Sequence, residues 1–307
     1  MKDNKHLIVV AGPTAVGKTA VAIQLARQFN TEIISADSRQ IFREMSIGTA
    51  KPSASELKAI RHYFIDSHSI TADYDAARFG EDVLKLLEEL FRERNRVILC
   101  GGSGLYIKAV CEGFDDIPEV PGSVRDELTE NYKNHGISWL QAKLEELDPE
   151  YYALIDKQNP HRIIRALEVF LATGKSIRSF QQKKTLQHNF NIVKIGLELP
   201  REELYRRIDE RMDIMIENGL FEEAKALYNF KEKNALQTVG YQEVFEYLDN
   251  NYDYAEAVRL LKRNSRRYAK RQLTWFKRDN AIEWFNPNDV DTIIRFVENK
   301  TSSDSFN

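Results

Sequence analysis

Cysteine is scarce: the 307 residues contain only Cys100 and Cys111. Two cysteines cannot build a disulfide scaffold or a four-cysteine zinc site, and they point to a reducing, cytoplasmic setting. No apolar run approaches the ~18 residues that a membrane helix needs. Met1–His6 is polar and leads into only five apolar residues, Leu7–Ala11. That is too short for the hydrophobic part of a signal peptide, so secretion is not expected. The histidines His6, His62, His68, His135, His161 and His188 show no metal-ligand spacing. Internal repeats and low-complexity tracts are also missing. What remains is an ordinary soluble composition, with 42% hydrophobic and 30% charged residues, long enough for one large domain or two.

The net charge of −3 argues against a nucleic-acid partner, but the average conceals a segregation. Arg259–Arg278 holds nine Lys or Arg and no acid, whereas the other 287 residues hold 35 basic and 47 acidic groups. An acidic body with one concentrated basic segment suits a polyanion. A solvated helix face would have the same composition.

Short apolar runs at Leu7–Ala11, Glu32–Ser35, Tyr63–Ile65 and Val97–Cys100 read as strands. Helical patterns such as Lys18–Phe29 and Ala76–Arg94 separate most of them. Alternation of this kind predicts an α/β fold: a parallel sheet flanked by helices. Asp115–Gly122, with Pro118 and Pro121, reads as a hinge. From Ser123 to about Gln182 only helices are expected, with a capping box from Ser123 to Asp126. Gly136 and Gly174 are expected to end helices, and Pro149 and Pro160 to begin them. Lys194–Leu199 alternates like a strand, and a long helical part is expected after Pro200. The predicted organisation is a core of residues 1–118 and 190–307 with an all-helical insertion at 119–189. Residues 301–307 read as a disordered tail.

Gly12-Pro13-Thr14-Ala15-Val16-Gly17-Lys18-Thr19 fits G-x-x-x-x-G-K-[ST] between a strand and a helix, the context of a P-loop NTPase-like fold. Such a loop turns backbone N–H groups and a helix N-terminus toward the oxygens of a di- or triphosphate, ATP among them. Lys18 adds a full charge and Thr19 can hold Mg²⁺. The Val97–Cys100 strand ends in Gly101-Gly102-Ser103-Gly104 rather than in the metal-holding acid of P-loop ATPases, which counts against a motor or switch. Those glycines either admit another backbone to the phosphate pocket or make a tight turn. Asp37 follows a strand, at the end of the sheet where ligands bind. It can serve as a general base, hold Mg²⁺ through water, or cap a helix. Arg162 and Arg165 share a helix face suited either to phosphates or to solvent, opposite a stripe of Ile164, Leu167 and Leu171.

Taken in order, these segments resemble the tRNA dimethylallyltransferases, also called tRNA isopentenyltransferases, over about Leu7 to Asp279. The resemblance rests on Gly12–Thr19, Ile34–Gln40, Ile47–Pro52, Gly101–Tyr106, Arg162–Val169 with Thr173–Lys175, Val239–Tyr241 and Arg266–Trp275. It implies transfer of a dimethylallyl group from dimethylallyl diphosphate to the exocyclic amine of the adenosine 3′ of the anticodon, in tRNAs reading codons that begin with U. The diphosphate would lie on Gly12, Pro13, Thr14, Ala15, Val16, Gly17, Lys18 and Thr19. Asp37 would be the base, with Ser103 and Lys18 beside it in the catalytic set. The anticodon stem-loop would face Asp37, Ser38, Arg39, Gln40, Ser103, Arg125, His161, Arg162, Ile163, Ile164, Arg165, Gln237, Thr238, Val239, Gly240, Tyr241 and Gln242. Many relatives carry Thr at Ser103 and Gln at His161, and the cysteines of the C-terminal zinc finger of some eukaryotic relatives have no counterpart here. A cytoplasmic monomer is expected. An adenylate isopentenyltransferase, a small-molecule P-loop kinase and a non-catalytic RNA-binding module are the competing readings.

Overall fold

The computed structural model describes residues 4–181 and 186–302. Among the described residues, six parallel strands form one sheet in the order β3-β2-β4-β1-β5-β6. They are β1 (His6–Ala11), β2 (Ile33–Ser35), β3 (His62–Tyr63), β4 (Arg96–Gly101), β5 (Asn191–Leu197) and β6 (Ile282–Phe285). β1 lies at the centre, with Ala11 in register with Gly101 of β4 and with Gly196 of β5. It is buried along its whole length, as a parallel strand covered on both faces must be. The helices among the described residues are α1 (Lys18–Gln28), α2 (Ala54–Ala59), α3 (Ala76–Glu93), α4 (Gly104–Cys111), α5 (Gly122–His135), α6 (Ile137–Leu147), α7 (Pro149–Tyr152), α8 (Pro160–Thr173), α9 (Arg201–Glu217), α10 (Leu220–Ala226), α11 (Tyr241–Leu248), α12 (Tyr254–Phe276) and α13 (Val290–Ser302).

The chain divides into two units, one reaching to Glu112 and resuming at Leu186, the other beginning at Gly113. The first unit has two apolar cores, one on each face of the sheet. One gathers Val9, Ala11, Phe79, Leu99 and Tyr241, and the other gathers Ile8, Val10, Leu25, Ile98 and Val297. The second unit, α5 to α8 with a short 3₁₀ turn, has its own core of Leu128, Leu140, Leu144, Ile163 and Leu167.

Several expectations change. The third strand stops at Tyr63, because Phe64 and Asp66 take positive φ. α5 starts at Gly122 behind Pro121 without a side-chain cap, so Ser123 and Asp126 form no capping box. Leu171 is exposed rather than core-facing. The part after Pro200 is not purely helical: β6 adds an edge strand whose four residues carry too little alternation to be seen in sequence. Thr301 and Ser302 belong to α13, where Thr301 is buried and its hydroxyl accepts two bonds from Arg96. The remainder of the expected tail, 303–307, and Gln182 lie outside the described residues. Gly136, Gly174, Pro149 and Pro160 mark helix ends and starts as expected.

Candidate active site

The loop between β1 and α1 is shaped by its glycines. Gly12 has φ 153°, and a β-carbon there would lie 2.8 Å from the Leu197 carbonyl oxygen. Gly17 caps α1 at φ 105°, a left-handed conformation that other residues adopt only under strain. Lys18 follows, its Nζ folded back onto the Pro13 carbonyl at 2.7 Å. Burial pulls its pKa down to about 8, against the opposing pull of Asp37. Val16 points away into the core, so its part in an anion site is its backbone alone.

A cleft of about 300 Å³ opens here, lined by Thr14, Ala15, Gly17, Lys18, Thr19, Asp37 and Arg211 among others. Asp37 sits just beyond β2, and its Oδ1 accepts from the backbone N–H groups of Arg39 (2.9 Å) and Gln40 (3.3 Å). It therefore caps a turn rather than a helix, and its carboxylate is held in place at the cleft wall. Arg211, from α9, donates to the Thr14 hydroxyl. Lys18 and Arg211 both interact electrostatically with Asp37, and burial holds the Arg211 guanidinium below its usual pKa. Thr19 and Asp37 are the hydroxyl and carboxylate donors suited to a cation, and no group of three or more His, Cys, Asp or Glu that could hold a metal occurs among the described residues. That sparse set fits Mg²⁺, which keeps several waters and takes one or two protein ligands beside phosphate oxygens.

A second, tighter chamber of about 70 Å³ adjoins the cleft. It shares Thr14, Asp37, Thr49 and Arg211 with it and adds Arg39, Thr238, Val239, Gly240 and Tyr268. Asp37 thus stands at the junction of a phosphate-shaped cleft and a small chamber that meets the 238–240 segment. Two carboxylates outside the chamber hold segments that line it. Glu223 of α10 accepts from the N–H groups of Ser46 (2.9 Å), Ile47 (2.8 Å) and Gly48 (3.0 Å) and from the Tyr241 hydroxyl (2.6 Å). Glu243 of α11 accepts from the Gly240 N–H at 2.8 Å and from Asn264 at 2.7 Å.

The Gly101–Gly104 turn resolves in favour of close packing. A β-carbon at Gly101 would collide with the Ala36 carbonyl, at Gly102 with Gln272, and at Gly104 with the Trp275 indole. The space left by the last two glycines seats α12. Gln272 Oε1 accepts from the Thr14 N–H (2.9 Å), and its Nε2 donates to the Gly102 carbonyl (2.9 Å), tying the phosphate loop to the turn that carries Ser103. Ser103 Oγ accepts from the Ser38 N–H at 2.9 Å and donates to the Ser38 hydroxyl at 3.2 Å. Gln40 is engaged internally, donating to the carbonyls of Thr49 (3.2 Å) and Ala50 (3.1 Å).

Three residues expected at an RNA-facing surface turn out to be core. Ile163 and Ile164 are 0% and 6% exposed and pack inside the second unit, and Tyr241 is fully buried. α8 needs that apolar stripe to bury itself, and the Tyr241 ring fills the space beside Gly48. In the same unit His161 and Arg162 are exposed, while Arg125 (2.5 Å) and Arg165 (3.2 Å) converge on the buried carboxylate of Glu168. Gln237 and Gln242 are exposed and bonded to each other at 2.8 Å.

The basic segment is most of α12 with the two residues that follow it, and much of its charge is spent internally. Lys262 pairs with Asp213, Arg266 with Asp209, Arg259 with Glu256 and Lys277 with Glu198. Arg267, Lys270, Arg271 and Arg278 are exposed and carry no ion pair among the described residues. Sequence reasoning assigned no role to Arg211, Glu223, Tyr268 or Gln272. Only Arg211 left a trace: unlike Arg206 and Arg207 it has no acid three or four places away on its helix.

The model of the IPP transferase family matches residues 40–279. The chain is 50% identical to the tRNA dimethylallyltransferase of Cytophaga hutchinsonii, over 97% of this chain and 98% of that protein. It is similar to the crystal structure of the full-length tRNA isopentenylpyrophosphate transferase of Bacillus halodurans, with TM-score 0.73, 38% identity, and 99% and 98% of the two chains covered. A eukaryotic dimethylallyltransferase acting on tRNA gives TM-score 0.74 at 27% identity, over 94% of this chain and 75% of that one. A phosphate loop, an aspartate at the junction of two compartments and these full-length likenesses together mean that the chain belongs to the IPP transferase family.

Proposed function

We propose that the protein is a tRNA dimethylallyltransferase. It moves a dimethylallyl group from dimethylallyl diphosphate to the exocyclic N6 amine of the adenosine 3′-adjacent to the anticodon, in tRNAs reading codons that begin with U. It acts as a monomer in the cytoplasm. The observation that carries this reading is the position of Asp37, which lines both the phosphate cleft and the adjoining chamber.

The diphosphate occupies the cleft on the Gly12–Thr19 amides, Lys18 and Arg211. The target adenine leaves its stack and enters from the side of the chamber, because a base buried in an RNA loop cannot otherwise reach the donor. Adenine N6 is a weak nucleophile, its lone pair being delocalised into the ring. Asp37 accepts one N6 proton as the N6–C1 bond forms and the C1–O bond breaks. The allylic carbon bears part of the positive charge, and the departing diphosphate takes the bonding pair. Lys18, Arg211 and the loop amides stabilise that developing charge. Thr19 and Asp37 would hold Mg²⁺, which would supply further charge neutralisation for the departing diphosphate. Ser103, fixed on the Ser38 N–H, borders the path of the base.

The test is transfer of label from dimethylallyl diphosphate, with Mg²⁺, to an unmodified anticodon stem-loop, run beside AMP. Label on the stem-loop alone is the expected result. Label on AMP would identify a nucleotide prenyltransferase instead, and label on neither would make ATP the next donor to examine.

A further inference from the structure

A third cavity, of about 330 Å³, lies on the face of the sheet opposite α1 and shares no lining residue with the cleft or the chamber. Val9 and Lys194 are register partners on β1 and β5 and share this face. The size is at the lower end of the roughly 300–1,000 Å³ typical of small-molecule sites. The cavity begins at Gly104, the residue after Ser103, and runs under Trp275 and Phe276 at the end of the basic helix.

Its chemistry is layered. Trp275, Phe276 and Ile107 supply an apolar and aromatic wall. Inside, Lys194 is held by Asp279 at 2.6 Å and faces Glu112 at 3.7 Å. Asp279 is engaged at both oxygens, since the other accepts from the Ala281 N–H at 2.9 Å. Glu112 lies beyond hydrogen-bond distance of Lys194, so its carboxylate remains an acceptor turned to the cavity. At the rim stand Lys108 and Arg278, both exposed and without an ion pair among the described residues. An aromatic wall, one carboxylate acceptor and a cationic rim match one ligand class: a nucleobase with an exocyclic amine, entering with its phosphates on the outside.

We propose that this cavity is a second base-binding site, which takes a splayed nucleotide of the anticodon loop other than the one modified. The inference rests on the tRNA-modifying reading above and deepens it. Two bases held in separate cavities on either side of the Ser103 turn would fix the loop, so that the target base is presented in one orientation. Sequence-specific reading of RNA commonly uses such splayed loop bases, stacked on aromatic side chains and read at their edges.

The test uses the full chain and a set of stem-loops, each with one abasic nucleotide at a different unpaired loop position, the target excepted. With the unchanged protein, one position is expected to bind roughly tenfold more weakly, the loss of one stacked base. Asn280→Trp places bulk at the exposed mouth of the cavity. It is expected to weaken the intact stem-loop by a similar factor and to make the abasic change at that position cost nothing further, while KM for dimethylallyl diphosphate stays the same. If Asn280→Trp binds the intact stem-loop normally, or if the two losses simply multiply, the proposal is wrong. Glu112→Ala gives a second reading at the half-buried acceptor, with weaker binding expected only when the base at that position carries an amine. A 4-thio base at the identified position should crosslink to Trp275–Asn280, and crosslinking to another segment alone would also overturn the site. Failure of the underlying reading is separable, because it would abolish label transfer to the intact stem-loop by the unchanged protein.

Discussion

The two compartments that meet at Asp37 are built in opposite ways. The anion-facing wall of the phosphate cleft is one continuous stretch, Gly12–Thr19, whose backbone already has the curvature an anion needs, although the other walls come from β2, β4, the 49–65 segment and α9. The adjoining chamber is assembled from seven separate places: the segments after β1 and after β2, the Gly48–Thr49 loop, α9, α10, the 238–240 segment and α12. A contiguous site is set by local geometry and survives as a motif. An assembled site depends on the long-range ties that hold its walls, here Glu223, Glu243 and Gln272. The first should fail by losing charge, the second by losing alignment.

The sharpest cut is at the junction itself. Asp37→Asn keeps an oxygen acceptor for the Arg39 and Gln40 N–H groups but cannot take the N6 proton. The chemical step should slow by roughly 10²–10⁴-fold with RNA affinity nearly unchanged, read by single-turnover kinetics. Near-normal turnover would remove Asp37 as the base.

On the cleft side, Lys18→Ala should lower kcat/KM for dimethylallyl diphosphate by roughly 10²–10³-fold, the loss expected for one positioned charge. Lys18 also predicts a pH profile. Its pKa in the free protein is lowered to about 8, so the ammonium is intact below that value and lost above it. kcat/KM for the diphosphate should therefore decline as pH rises through about 8, and that limb should vanish in Lys18→Ala.

On the chamber side, Glu223→Ala leaves three backbone N–H groups and a buried tyrosine hydroxyl without their acceptor, each at about 1–3 kcal/mol if no water replaces it. KM for RNA should rise about tenfold or more while KM for the diphosphate holds. A parallel rise in both would mean that the two compartments are not separable in the way their construction suggests.

The smallest expected effect distinguishes the free cations of α12 from its paired ones. Lys270→Ala should reduce the slope of log affinity against log salt by about 0.7–0.9 if that side chain meets a phosphate. Lys262→Ala, whose ammonium is already neutralised by Asp213, should leave the slope unchanged. Equal effects would show that the ion pairs open on RNA binding.

Much of this was legible beforehand. The phosphate loop, the first five strands, the helical insertion and the position of Asp37 follow from patterns within a few residues of each other. β6 was missed because four residues at a sheet edge carry almost no periodic signal. The two isoleucines of α8 were misplaced because a motif marks a segment without saying which of its side chains face inward. Counting charges along α12 overstated its reach, since the acids that neutralise Lys262 and Arg266 come from α9, some fifty residues earlier.

The sequence by itself determined the local chemistry: glycines that curl a loop around an anion, a lysine and a threonine at a helix start, and an aspartate at a strand end. Those depend on backbone geometry and neighbouring side chains, which nearby residues specify. Only the tertiary structure decided that Asp37 serves two compartments, that Gln272 fastens the basic helix to the phosphate loop, and that four cations of the basic segment (Arg267, Lys270, Arg271 and Arg278) carry no ion pair among the described residues while four others do. Each of these is a convergence of groups far apart in the chain, and such contacts exist only once the hydrophobic cores have fixed the helices against the sheet.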